Sequence, residues 1–156
     1  MLAVAAAISS MMVVTVFALT KSATSAQRTF WVGAPPVTQG SRMMWNEATI
    51  TIYDSAVAYV RSDVTIFSTG TSFPVGDLFV DPFIQEQKPN GTYETIYWNP
   101  YAALNGYATL QFTHQTIKYY QTGNLHGNFR AVGNTGAIWN NDVKYAETYY
   151  TSGVQF

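Results

Sequence analysis

The sequence predicts an α+β protein: a long hydrophobic N-terminal α-helix followed by one antiparallel, Ig-like β-sandwich. Three observations lead there. Residues 1–20 carry no charge and contain neither Pro nor Gly. From Glu47 onward apolar and polar residues alternate with period two, the pattern of a half-buried strand. Short strand-like runs then recur between Asn-, Gly- and Pro-rich turns to the end of the chain, as in antiparallel sandwiches and barrels.

The first segment, MLAVAAAISSMMVVTVFALT, has the length to span about 30 Å as a helix, roughly the hydrocarbon thickness of a bilayer. It is apolar on every side, so a helix here must be buried in lipid or among other helices. Three readings compete. One is a cleavable signal peptide, with Ala23-Thr24-Ser25-Ala26 as a small-residue cleavage site before Gln27. Another is a membrane anchor flanked by Lys21 and Arg28. The third is a polymerisation helix. Small residues recur at the four-residue spacing that lets backbones approach closely, as in Ala3 with Ala7 and Ala6 with Ser10, and wider residues Met11, Val14 and Phe17 follow. On that reading Ala3, Ala6, Ala7, Ser10, Met11, Val14 and Phe17 form the contact face, and the helix is expected to run on to about Ser25.

Pro35-Pro36 cannot continue a helix, and Gly33 and Gly40 add to the break. The expected division is therefore a polymerisation helix over 1–33, a linker over 34–41 and a β-sandwich head over 42–156. Within the head, Ala48, Ile50 and Ile52 share one phase of the clearest alternation and Leu110 and Phe112 that of another, so all are expected to face the core. Further strands are expected over Val57–Val60, Val64–Phe67, Leu78–Val80, Tyr93–Trp98, Ile117–Tyr120, Phe129–Val132 and Val143–Tyr150. Turns are expected at Arg61-Ser62-Asp63, Pro89-Asn90-Gly91, Asn105-Gly106, Gly133-Asn134-Thr135-Gly136 and Asn140-Asn141-Asp142.

Composition narrows the function. Apolar residues make up 47% of the 156, enough for a core, but charged residues only 11%, well below the roughly 25% of average soluble proteins. Net charge is −1 with no basic stripe, which argues against nucleic acid as a partner. Thr, Ser, Asn and eleven tyrosines, all at or beyond Tyr53, keep the surface wet instead. Such groups do not titrate near neutrality, which suits an exposed appendage. There is no Cys, so zinc ribbons, thiol nucleophiles and disulfide frameworks are excluded.

Chemistry-bearing patterns are sparse. His114 and His126 have no metal-ligand spacing, and no nucleophile motif, P-loop or dinucleotide fingerprint occurs. The densest acidic group, Asp77, Asp81 and Glu86, reads more simply as loop solvation than as a calcium site or a glycosidase pair. No catalytic residue, cofactor site or metal site is expected. Asn90-Gly91-Thr92 is an N-x-T glycosylation acceptor on an expected turn, although Asn-Gly is also a favoured hairpin turn in its own right.

An uncharged N-terminal segment followed by a Thr- and Tyr-rich β domain without Cys resembles archaeal type IV pilins in layout. Ala5 stands where bacterial type IV pilins carry Glu, and their C-terminal disulfide is missing, so the resemblance is to the archaeal kind. It implies a cell-surface filament of identical copies, with helices in its core and β domains outside. The helix would rest in the membrane before assembly, and the filament would serve adhesion or attachment. The alternative is a secreted β protein with a cleaved signal peptide. It would assemble by donating a strand, Arg28 to Val32, to a neighbour's open sheet edge, or act as a surface-layer or carbohydrate-binding protein.

Overall fold

In the computed structural model, residues 19–33, 40–121 and 123–156 are described. The first sheet is built on β3 (Arg42–Asp54) and β4 (Ala58–Ser68), a long antiparallel pair with Met44 opposite Ser68 and Tyr53 opposite Tyr59. On the far side of β4 lies β8 (Gln111–Tyr120). The free edge of β3 is covered by β1 (Leu19–Thr24) and β2 (Arg28–Val32), one along each half of its length. The second sheet centres on β5 (Leu78–Gln87) and β9 (Asn128–Trp139). On the β5 side it is flanked by β6 (Tyr93–Trp98) and β7 (Ala103–Leu104), and on the β9 side by β10 (Asp142–Glu147) and β11 (Val154–Gln155). All of these pairings are antiparallel.

The two sheets pack face to face on a single core. Met44, Ala48, Ile50 and Ile52 of β3 and Val60, Val64 and Ile66 of β4 meet Leu78, Val80 and Ile84 of β5 and Phe129, Ala131 and Ala137 of β9. One polar contact crosses this interior. Asn46 Nδ2 donates to Thr135 Oγ1 at 2.7 Å and to the Ala146 carbonyl at 3.1 Å, tying the sheets together where an unpaired amide would be costly. Three connections cross between sheets, β4 to β5, β7 to β8 and β8 to β9, while β4 pairs with β8 and β5 with β9. The β4–β5 and β8–β9 crossings therefore interlock.

The α+β expectation is overturned: among the described residues there is no helix, and their fold is all-β. Leu19–Thr24, expected to close the helix, is strand β1. Pairing with β3 explains the difference, because the free edge of a thirteen-residue strand offers a row of backbone groups that an edge strand satisfies. Tertiary pairing of this kind overrides local helix propensity. The resemblance to archaeal type IV pilins, which rested on an apolar helix ahead of the β domain, is corrected with it. The polymerisation-face residues Ala3, Ala6, Ala7, Ser10, Met11, Val14 and Phe17 lie outside the described residues.

Two expected turns are strand instead. Arg61-Ser62-Asp63 sits in the middle of β4, where Ser62 takes the inward phase and Arg61 and Asp63 pair on the outside at 2.7 Å. Gly133-Asn134-Thr135-Gly136 runs through β9. Here glycine marks close approach rather than a turn. A Cβ on Gly133 would meet Val64 Cγ2 at 2.5 Å and the Asp81 carbonyl oxygen at 2.7 Å. By contrast, Asn140-Asn141 is a two-residue hairpin loop between β9 and β10. Both residues have positive φ, 50° and 62°, as a type I′ turn requires.

Candidate assembly edge

The edge of β3 is covered from end to end. β1 pairs with the half from Thr49 to Asp54, and β2 with the half from Arg42 to Asn46. Between them the covering strand breaks at Ser25, Ala26 and Gln27, and Ser25 closes the gap with its own atoms. Its N–H donates to the Ala48 carbonyl at 2.8 Å, and its Oγ accepts from the Ala48 N–H at 3.0 Å. Residues 19–32 thus act as one edge strand in two blocks, jointed at a buried serine.

The two blocks differ in grip. β1 is exposed along most of its length, with only Ala23 packed against the core. Lys21 reaches the other sheet, donating to the Gln155 carbonyl at 2.9 Å and lying over the Phe156 ring. Thr24 and Thr49 face each other across the strands, their hydroxyls 2.9 Å apart. β2 inserts more deeply: Val32 is fully buried and Phe30 packs against the core. Arg28 donates to the Glu147 carbonyl at 3.0 Å and covers the Tyr149 ring.

No family model, no curated protein and no solved structure matches this chain. The reading of function therefore rests on this geometry and on the other features of the surface.

Among those, an exposed aromatic edge runs along β6 and β7, where Tyr97, Trp98, Tyr101, Leu104 and Tyr107 are all open to solvent. An open depression of about 380 Å³ is lined by Pro74, Asp77, Ile138, Trp139, Asn140 and Asn141. Trp139 of this lining packs edge-to-face on Phe73, and the Arg42 guanidinium lies over both rings at 4.5 and 4.6 Å. Arg42 also donates to the carbonyls of Thr69 and Thr71, and burial lowers its pKa from the usual arginine value. This cation pins the β4–β5 crossing. A second arginine, Arg130, lies between Tyr93 and Tyr150 at 4.0 and 3.9 Å and donates to Gln85 Oε1.

The groups singled out in the sequence do not converge. His114 is half-buried in β8 with its Nε2 unpartnered, and His126 is exposed in the β8–β9 crossing. Burial raises the Asp81 carboxyl above the usual carboxylate value, an effect that His114 partly opposes. Asp77 lines the depression, whereas Glu86 pairs with Lys88 at 3.1 Å. Among the described residues no three His, Asp or Glu side chains come together as a metal site, and no helix is long and apolar enough to cross a membrane. Asn90 sits exposed in the turn from β5 to β6. Sequence reasoning singled out Arg28–Val32 as a donated strand but missed Ser25 and the β1 block, because a helix was expected there.

Proposed function

We propose that this chain is a non-catalytic structural subunit of an extracellular assembly, joined copy to copy by exchange of its N-terminal edge strand. One observation carries the reading: residues 19–32 cover the whole edge of β3, yet they reach it only through the connection 33–41. Antiparallel neighbours need just two residues to turn. The longer connection, extended at roughly 3.3 Å per residue, reaches about 30 Å, comparable to the width of a small domain. It also contains Pro35-Pro36, which favours extended backbone. The same strand can therefore complete its own β3 or that of a second copy, with identical partners in either case.

Exchange of this kind is heterologous, so repetition yields an open chain unless the rotation closes it into a ring. Low charge and a Thr- and Tyr-rich surface support close approach of copies and argue against nucleic acid as a partner. The uncharged sequence of residues 1–18 brings the chain to the membrane for export before assembly. A second reading, binding of a carbohydrate polymer, draws on the exposed Trp98, Tyr101 and Tyr107, because aromatic faces stack on sugar rings. It predicts retention on insoluble polysaccharide that Trp98→Ala abolishes.

The absence of Cys makes the exchange directly testable. Two single variants, Thr24→Cys and Thr49→Cys, are mixed before assembly and oxidised afterwards. A disulfide joining one chain of each kind is expected, since the two side chains face each other across the strand pair. If the mixture gives no mixed dimer, while the double variant closes its bond within one chain, the strand stays at home and the proposal fails.

A further inference from the structure

We propose that Asn90 is an N-glycosylation site whose turn already holds the asparagine in acceptor geometry. The sequence contains one N-x-[ST] acceptor with x other than Pro, Asn90-Gly91-Thr92. A sequence match alone is weak, because many such triplets are buried or drawn straight into strands. Here three structural facts act together.

First, the triplet projects from the tip of the β5–β6 hairpin. Asn90, Gly91 and Thr92 are all exposed, so an enzyme and a bulky glycan can both reach the side chain. Second, the turn is closed by its backbone and not by the asparagine's amide nitrogen. The Lys88 N–H donates to the Thr92 carbonyl at 2.7 Å, and the Gly91 N–H donates to the Lys88 carbonyl at 2.8 Å. Gly91 takes a φ of 85°, a conformation an L side chain would strain. Third, Asn90 Oδ1 accepts twice from Thr92, from its N–H at 3.0 Å and from its hydroxyl at 2.7 Å. The carbonyl side of the amide is fixed by the hydroxyl that defines the triplet. Asn90 Nδ2 makes no hydrogen bond in the described structure and points free for reaction.

The co-substrate is a lipid-linked oligosaccharide phosphate, and the enzyme is a membrane transferase of the export route. Nδ2 attacks the anomeric carbon, a C–N bond forms and the C–O bond to phosphate breaks. The lipid phosphate leaves with the electron pair, and one proton is lost from Nδ2. No redox partner is needed. The site lies on the second sheet, away from the β3 edge, so modification leaves strand exchange unobstructed, and either proposal can fail without the other.

The test is to express the full chain in a host that exports and N-glycosylates proteins and to measure intact mass. A mass above that of the sequence is expected, and it should be lost on treatment with an amidase that cleaves glycan from asparagine. Asn90→Gln should abolish the added mass while leaving the β circular-dichroism signature intact. Thr92→Ser keeps the hydroxyl and should retain modification, whereas the near-isosteric Thr92→Val should lose it. Unmodified protein from a host that glycosylates a control acceptor overturns the proposal. So does added mass that survives Asn90→Gln.

Discussion

At Gly133 the two sheets pack too closely to admit a side chain. Its missing Cβ lets β9 sit against Val64 of the opposite sheet and against the backbone of Asp81 on its neighbour. Gly133→Ala puts a methyl group against a carbonyl oxygen that cannot rotate away. It is expected to cost about 1–3 kcal/mol, as overpacked cores do, measured as a fall in the denaturant midpoint at unchanged slope. The sequence misled at this position for a physical reason. Gly-Asn-Thr-Gly carries the composition of a turn, and only a partner from a distant strand shows that the glycines serve contact instead. Ile50 and Ile52 were legible because their alternation is local, and both are fully buried. Phe112 packs against the core in part, and Leu110 lies outside the core cluster, ahead of the strand that begins at Gln111.

At the scale of elements, turn chemistry was readable where one dipeptide sets the backbone, as at Asn140-Asn141. The β6 run also stands where alternation and aromatic content placed it, Tyr93–Trp98. What could not be read locally was the identity of 19–24, where the same small and apolar residues serve helix or edge strand. The missing information was that β3 has a long unpaired side. Ser25 gives this element its own test. Ser25→Ala removes the oxygen that accepts from the Ala48 N–H and leaves that buried donor without a partner. The expected cost is about 1–3 kcal/mol, together with faster amide exchange at Ala48 and along Thr49–Asp54. Exchange along β2's partner half, Arg42–Asn46, should change less, because Phe30 and Val32 still anchor that block. Equal acceleration of both halves would show that the covering strand moves as one piece.

For the whole molecule, scarcity of charge makes stability depend little on pH across the neutral range, and the alkaline limit is set by burial of a phenol. Tyr120 is pushed up to about 12 from 10.0 by burial and, secondarily, by the Glu86 charge. An acid whose pKa is raised on folding holds its proton longer in the native state, so stability falls as pH rises between the two values. Melting temperature should therefore drop between pH 10 and 12, and Tyr120→Phe should flatten that drop. The end-to-end cover of β3 also has a mechanical consequence. In the proposed assembly, tension along the array pulls on each donated strand at its Val32 end, and Val32 pairs with Arg42, where the acceptor's own connection enters β3. The two tension-bearing connections thus leave the joint at the same end, so the strand pair is loaded from Val32 inward and parts one hydrogen bond after another, as a hairpin is peeled. Val32 and Phe30, packed into the core, stand where that opening begins, so their burial rather than the exposed β1 block sets the force at which the joint yields.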